Sequence, residues 1–181
     1  MQGIRQAQLT SGEKVAVIGL GLLGQIAVKL LKAYGYPVIG FDVNADQIRF
    51  GIENGLDEGV LIGKDHRSQL AGFCDGRGVD AVIIYASSKT DEPLKLAVDI
   101  SRDKGRIVQV GSVLSNIPWR EFYMKELSYL PSRSYGAGRY DKNYEEGGHD
   151  YPFGYVRWTQ KRNMEEFLRL LVSGKVSVTH L

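Results

Sequence analysis

The chain has 181 residues, of which 43% are hydrophobic and 24% charged, a length and balance that predict one ordinary globular domain with a sizeable core. Its net charge is only +2 and the basic residues are scattered, which excludes the charge pattern of a nucleic-acid partner; the single cysteine, Cys74, excludes an internal disulfide and a cysteine-rich zinc site. No apolar stretch approaches the roughly 20 residues needed to cross a bilayer and no signal peptide is evident, so we expect a cytoplasmic protein with no membrane partner.

The first predicted strand runs directly into a helix through a glycine-rich turn. After a mixed stretch, 1–12, interpreted as the remnant of an upstream region, an apolar β-branched run begins at Val15 and stops at Gly19. Apolar residues then follow helical spacing over 22–33, and Gly35 ends the helix. A buried parallel strand that feeds a helix is typical of the first unit of a nucleotide-binding sheet.

The turn has the pattern G-x-G-x-x-G, and each glycine has a physical reason. Gly19 allows the sharp bend, Gly21 lets backbone N–H groups approach a pyrophosphate, and Gly24 lets the helix pack on the strand. The pattern alone is a weak signal. Here the preceding strand, the following helix and Asp42 at the end of the next apolar run all agree, so we predict dinucleotide binding. The alternative is a strand–helix turn with no ligand.

The next elements alternate regularly between strand and helix. The predicted order is a strand over 37–41, a helix from the cap Asn44 to Glu53, a weak strand over 59–62, a helix over 66–74, a strand over 79–85, a helix over 92–102 and a strand over 106–110. Strands separated by helices indicate right-handed βαβ units and one parallel sheet. The predicted fold is therefore α/β.

The rhythm changes after Pro118. A short helix over 119–125 precedes a sixth strand over 127–134, and a long aromatic, glycine-rich loop over 136–157 follows. Such a length is more than a compact domain usually spends on a connection, so we expect a function or an interface there. The last helix, 160–172, is predicted to bury Met164, Phe167, Leu168 and Leu171.

Several stretches together resemble the medium-chain dehydrogenase/reductase family, the zinc-type alcohol dehydrogenases. They are Gly12-Glu-Lys-Val-Ala-Val-Ile-Gly-Leu-Gly-Leu-Leu-Gly24, Phe41-Asp42, Gly78-Val-Asp-Ala-Val82, Gly105-Arg-Ile-Val-Gln-Val-Gly111 and Leu170-Leu-Val-Ser-Gly-Lys-Val176. The resemblance covers residues 3–181 and implies a Rossmann-type doubly wound parallel sheet of six strands in the order 3-2-1-4-5-6. Arg133-Ser-Tyr-Gly136 and 151–158 are similar to a subgroup fused to a second, glucose–fructose oxidoreductase-type domain.

The resemblance also implies a missing part. Family members carry a separate catalytic domain that supplies Cys, His and acidic zinc ligands, and this chain resembles only their cofactor domain, over 13–175, with 176–181 beginning the return to the catalytic domain. Cys74, His66, His149 and His180 lack ligand spacing, so no metal or catalytic residue is predicted. Zinc is expected only in the missing domain, and this chain alone is expected to be inactive.

The predicted cofactor is NAD, with NADP disfavoured. Asp42 is placed to accept hydrogen bonds from the adenosine ribose hydroxyls, whereas a 2′-phosphate would face its negative charge. The alternative is a solvated residue at the end of a strand. By the resemblance, Val43 flanks the adenine, and Tyr85, Ala86, Ser87, Gly111 and Ser112 line the cofactor groove, together with Leu22 and Leu23 of the turn. Tyr85 could equally be a packed core aromatic.

Other candidate chemistry is weak. Ser87-Ser88-Lys89 lies on a loop that cannot hold nucleophile–base geometry, Tyr140 and Lys142 lie in a glycine-rich loop rather than on a helix, and Cys74 is interpreted as a core residue. The first hypothesis is the NAD-binding domain of an alcohol or sugar dehydrogenase. The others are a stand-alone NAD-binding sensor or scaffold, and an S-adenosylmethionine methyltransferase, which the spacing before Gly24 disfavours.

The sixth strand is predicted to lie at an edge of the sheet. Pro131 has no N–H to donate, which is tolerated at an edge but not in a central strand. An unprotected edge invites pairing with another chain, and members of the resembled family commonly dimerise there. We therefore expect a two-fold homodimer through 127–134.

Overall fold

A six-stranded parallel sheet forms the centre of the structure, a computed structural model that describes residues 1–63 and 66–181. The strands are β1 (Val15–Ile18), β2 (Val38–Asp42), β3 (Glu58–Leu61), β4 (Val79–Ile84), β5 (Ser101–Gln109) and β6 (Ser128–Pro131). Their spatial order is β3-β2-β1-β4-β5-β6, and all five pairings are parallel. The predicted α/β fold, its strand order and the edge position of β6 are confirmed.

Helices cover both faces of the sheet. They are α1 (Gln2–Gln6), α2 (Leu22–Ala33), α3 (Ala45–Glu53), α4 (Arg67–Cys74), α5 (Glu92–Ile100), α6 (Trp119–Met124), α7 (Lys142–Glu145) and α8 (Gln160–Val172). Val15 and Val17 of β1 face one core with α1, α2, α3 and α8, and Ala16 and Ile18 face a second core with α4, α5 and α6. Because both faces are covered, β1 is wholly buried, which explains its uninterrupted apolar sequence.

The N-terminal stretch belongs to the packed structure. Residues interpreted from the sequence as an upstream remnant form α1, whose Ile4 and the following Ala7 are buried in the first core. The side chain of Gln2 contacts Asn163 on α8, and Arg5 stacks on Trp158 with its guanidinium carbon 3.5 Å from the ring centre. Residues 1–7 therefore connect the first core to α8 and to Trp158 just before that helix.

Helix α8 has a different buried face from the one predicted. Phe167 and Leu171 pack against the core as expected, but Met164 and Leu168 are 54% and 59% exposed, and the expectation that they are buried was wrong. The reason is Asn163, which is buried because its amide nitrogen donates to the Tyr135 carbonyl oxygen at 3.0 Å. With Asn163 on the buried face of α8, Met164 and Leu168 lie on the exposed face.

The connection between α5 and β5 is shorter than predicted. Helix α5 ends at Ile100 rather than at residue 102, and β5 begins at Ser101 rather than at residue 106. Ser101 pairs with Val79 of β4, and the register shifts before Arg106 pairs with Ala81. The irregular pairing draws residues 101–105 into the strand, a feature that their charged sequence does not reveal.

Lys125 caps the carboxyl end of α5. Its Nζ donates to the carbonyl oxygens of Val98, Asp99 and Ser101, each at 2.8 Å. We expect Lys125→Met to destabilise the fold by about 2 kcal/mol, because three carbonyl groups lose a charged donor at a helix C-terminus. Urea unfolding measures this, with Lys104→Met as the exposed control; equal midpoints for the two variants would contradict the assignment.

Candidate cofactor-binding site

Two glycines of the turn are required by the packing of the chain itself. Gly19 has φ +92°, and a Cβ there would lie 2.5 Å from the backbone nitrogen of Ala86. A Cβ on Gly24 would lie 1.9 Å from the carbonyl oxygen of Gly19. Neither position accepts a side chain, because the turn passes directly against the end of β4 and against its own helix.

The middle glycine is different. Gly21 has φ −65°, which every residue type adopts, and no atom lies within 4 Å of the position of a Cβ. It is the N-cap of α2 and carries no side chain that could cap the helix, so the first N–H groups of α2 stay available to an anion. The following residues, Leu22 and Leu23, have exposed side chains. Packing within the protein therefore does not require glycine at position 21.

Asp42 is fixed beside the turn. Its Oδ2 accepts a hydrogen bond from the Leu20 backbone N–H at 2.6 Å, and its Oδ1 accepts one from the Asn44 N–H at 2.8 Å. The carboxylate is therefore held by the turn and by the start of α3, not merely solvated. Each oxygen keeps further lone pairs for a ligand hydroxyl. Arg49, the cation one turn along α3, is paired with Asp46 at 2.8 Å.

A cleft of about 720 Å³ opens at the carboxyl ends of the strands. Five of the residues predicted to bind a cofactor line it, namely Gly19, Asp42, Val43, Ala86 and Ser87. From β1 the chain adds β2 and β3 on one side of the sheet and then returns past β1 to add β4 on the other side. The cleft lies at this reversal of strand order, which is the topological switch point of the sheet. Its volume is in the range of small-molecule sites.

The other predicted residues do not line the cleft. The Tyr85 side chain packs on the opposite face of the sheet, against the first core, and its burial raises the pKa of the phenol well above its usual range. Of the two alternatives for Tyr85, the structure therefore shows the packed core aromatic and not the groove-lining side chain. A Cβ on Gly111 would lie 2.0 Å from the Ala86 carbonyl oxygen, and the Ser112 carbonyl oxygen accepts from Ser88 N–H at 2.8 Å. Gly111 and Ser112 thus hold two cleft loops together.

Sequence reasoning missed the inner wall of the cleft. His66 Nε2 lies 3.1 Å from Asp99 Oδ2, and the His66 ring meets Phe41 edge-on with ring centres 6.1 Å apart. Both His66 and Asp99 line the cleft. The two residues are 33 positions apart and belong to different helical segments, so no local pattern brings them together.

The part of the chain that the structure describes supplies no metal site. Within residues 1–63 and 66–181, no three His, Cys, Asp or Glu side chains are grouped so that they could hold a metal ion. Cys74 is buried, and its Sγ donates to the Leu70 carbonyl oxygen. The residues therefore do not fit a zinc ion. In the same described ranges, none of the helices has the length and apolar character to cross a membrane.

Comparison with known proteins adds sequence relatives. The family description "Zinc-binding dehydrogenase" matches residues 23–146. A 2-dehydro-3-deoxy-L-galactonate 5-dehydrogenase from Pseudoalteromonas atlantica is 26% identical over 76% of this chain and 40% of its own length. A D-xylulose reductase from Scheffersomyces stipitis is 29% identical over 84% of this chain and 46% of its own length. The chain therefore spans less than half the length of these relatives.

Solved structures share the fold. An alcohol dehydrogenase from Aeropyrum pernix matches with a TM-score of 0.73 and 23% identity, over 97% of this chain and 44% of that one. Galactitol-1-phosphate dehydrogenase from Escherichia coli matches with a TM-score of 0.72 and 18% identity, over 98% and 47%. The family match covers more than half of the chain and agrees with the resemblance of its motifs. The chain belongs to the zinc-binding dehydrogenase family.

Proposed function

We propose that this chain is the NAD(H)-binding domain of an alcohol or sugar dehydrogenase. The relatives are named as dehydrogenases or reductases of sugars, sugar acids and alcohols, which supports this class of substrate. A bound nicotinamide cofactor would supply hydride transfer to or from a substrate carbon that bears a hydroxyl or carbonyl oxygen. The chain's own contribution is to bind and orient that cofactor.

The observation that carries the proposal is the presence of Gly21 and Asp42 at the same turn, each with space or lone pairs available to a ligand. Gly21 leaves space and free N–H groups at the start of α2, where a pyrophosphate would bind. Asp42, held by Leu20 N–H, faces the cleft, where it would accept hydrogen bonds from the adenosine ribose. Val43 would flank the adenine, and Ala86 would line the groove. These residues fit a dinucleotide.

Direct titration tests the proposal. NADH added to the purified chain is expected to give saturable binding, seen as a change in NADH fluorescence and by calorimetry, and AMP is expected to compete. NADPH in matched buffer is the control for the role of Asp42. Absence of saturable NADH binding by the folded chain would refute the proposal.

We further propose that catalysis requires a second domain. The described residues lack a zinc-ligand cluster, and the relatives are more than twice as long as the matched region. In this arrangement residues 13–175 bind the cofactor, residues 176–181 lead to the catalytic domain, and zinc belongs to that domain. A further fusion to a glucose–fructose oxidoreductase-type domain stays a prediction from 133–136 and 151–158.

The isolated chain is expected to show no turnover. Ethanol, xylitol and galactonate, each with NAD and added zinc, should give no NADH above a protein-free control. Any turnover that follows this chain through successive purification steps would contradict this expectation. The other hypothesis, a stand-alone NAD sensor or scaffold, shares the binding result but predicts that the intact gene product is also inactive.

A homodimer is proposed through the edge strand β6. Among the described residues no strand pairs with its outer edge, and a free edge can pair with a second copy across a two-fold axis. Cysteine introduced as Ser128→Cys is expected to crosslink two chains with a short bis-maleimide, while Glu58→Cys on the opposite edge strand, β3, is not. Cys74 is buried and serves as an internal background. A monomer by light scattering at high concentration would refute the dimer.

A further inference from the structure

Two arginines stack on one tyrosine just after the last strand. The guanidinium carbon of Arg133 lies 4.0 Å from the Tyr140 ring centre, and that of Arg139 lies 4.2 Å from it. Arg139 is committed, because its Nη1 donates to both Glu145 oxygens, at 2.6 and 2.9 Å. Arg133 is exposed and has no carboxylate partner among the residues that the structure describes. The Arg133 guanidinium is thus held over the Tyr140 ring but forms no ion pair among the described residues.

Arg133 lies at the same end of the parallel sheet as the cleft, beyond the edge strand β6, and does not itself line the cleft. Strand β6 ends at Pro131, and Ser132 N–H still donates to the Gln109 carbonyl oxygen at 2.8 Å, so Arg133 follows the carboxyl end of β6 by two residues. Under the proposed function, on which this inference rests, Asp42 holds the adenosine on the β1-β2-β3 half. A dinucleotide crosses the switch point, which puts its nicotinamide over the half that ends in β6.

The backbone around this arginine is strained. Ser134 has φ +55° and Tyr140 has φ +70°, both in the left-handed region that non-glycine residues rarely adopt. For a bulky aromatic residue such as Tyr140 this conformation is unfavourable and persists only where surrounding contacts impose it. Here it presents a half-exposed ring to Arg133 instead of burying that ring in the core.

We propose that Arg133 recognises an anionic group, a carboxylate or phosphate, on the sugar substrate. A guanidinium binds either group through two parallel hydrogen bonds, and stacking on Tyr140 fixes its plane in advance, so less side-chain freedom is lost on binding. Tyr140 is a positioning residue for Arg133. The Tyr140 ring is itself contacted by Arg139, which Glu145 holds in place. The substrate class is thus an acidic or phosphorylated sugar rather than a neutral polyol.

The test compares three probes on the NADH-loaded chain at low ionic strength. They are D-gluconate, D-glucitol 6-phosphate and neutral D-glucitol, followed by calorimetry and saturation-transfer NMR. Gluconate, glucitol 6-phosphate or both are expected to bind about tenfold more tightly than glucitol. Tighter gluconate assigns the site to a carboxylate, and tighter glucitol 6-phosphate assigns it to a phosphate.

Matched variants separate recognition from bulk charge. Arg133→Gln should remove the preference for the anion, Arg133→Lys should restore only part of it, and Arg157→Gln should leave it intact. Arg157 is also an exposed arginine stacked on aromatic rings, 3.9 Å from the Trp158 ring centre, so it matches Arg133 in charge and setting. Tyr140→Leu should weaken the preference while Arg133 is still present.

Distinct results overturn distinct claims. Equal or undetectable binding of the three probes to a chain that binds NADH overturns this inference and leaves the proposed function standing. Weaker NADH binding in Arg133→Gln, with no change in anion preference, makes Arg133 a cofactor residue and also overturns it. Failure of the wild-type chain to bind NADH overturns the proposed function, and this inference with it.

Discussion

Gly21→Ala is expected to weaken NADH binding by at least about tenfold while the fold stays intact. Alanine adopts the φ of −65° found at this position, and no protein atom lies within 4 Å of its Cβ. The methyl group therefore enters only the space that a pyrophosphate would occupy under the proposed function, and each tenfold loss of affinity corresponds to about 1.4 kcal/mol of steric conflict. Fluorescence titration of NADH measures the loss.

The matched substitution is Gly24→Ala, three residues along the same turn. Its Cβ would lie 1.9 Å from the Gly19 carbonyl oxygen, which cannot move without shifting the end of β1. We expect a loss of about 3 kcal/mol or more of unfolding free energy, measured in urea, because overpacking against backbone has no relief. Gly21→Ala should unfold within about 1 kcal/mol of wild type, the cost of alanine at an N-cap. An unaltered NADH affinity in Gly21→Ala would show that this glycine has no ligand role.

The contrast between these glycines shows which information is local. The turn, the apolar run of β1 and the acidic end of β2 lie close together in the sequence, so their spacing predicted the strand–turn–helix unit, whereas the order of the six strands followed from the family resemblance. The pattern also assigned Gly21 to ligand approach and Gly24 to packing of the helix on the strand, but it did not identify the neighbouring atom that a side chain at each position would meet. Only the packed structure gives that neighbour.

Elements placed by long-range contacts were predicted less well. Asn163 sets the buried face of α8 through the Tyr135 carbonyl, 28 residues away, and this overrides the apolar spacing of Met164 and Leu168. The wall of His66 and Asp99 likewise joins two helical segments. Tyr85 follows a strand whose residues alternate between two cores, and a sequence in which both faces are apolar does not show which core receives it.

Asp42→Asn is expected to remove the preference for NADH over NADPH. Under the proposed function, the wild-type carboxylate would accept hydrogen bonds from the ribose hydroxyls but repel a 2′-phosphate. Juxtaposed like charges cost several kcal/mol, so we expect a preference for NADH of about a hundredfold or more. The amide keeps one acceptor oxygen and loses the charge. NADH should bind about tenfold more weakly, since a charge-assisted hydrogen bond is lost, and NADPH should bind more tightly.

The variant also has a structural effect that must be separated from this one. Asp42 accepts from both Leu20 and Asn44 N–H groups, and an amide cannot accept both through two oxygens, so about 1–2 kcal/mol of stability should be lost as well. A general loss of structure would weaken the binding of both cofactors, whereas removal of the charge repulsion would strengthen the binding of NADPH alone. Asp103→Asn, an exposed site away from the cleft, makes the same change in net charge and should alter neither affinity. If Asp42→Asn weakens NADPH as much as NADH, charge repulsion at Asp42 does not set the cofactor preference, and the carboxylate serves the turn alone.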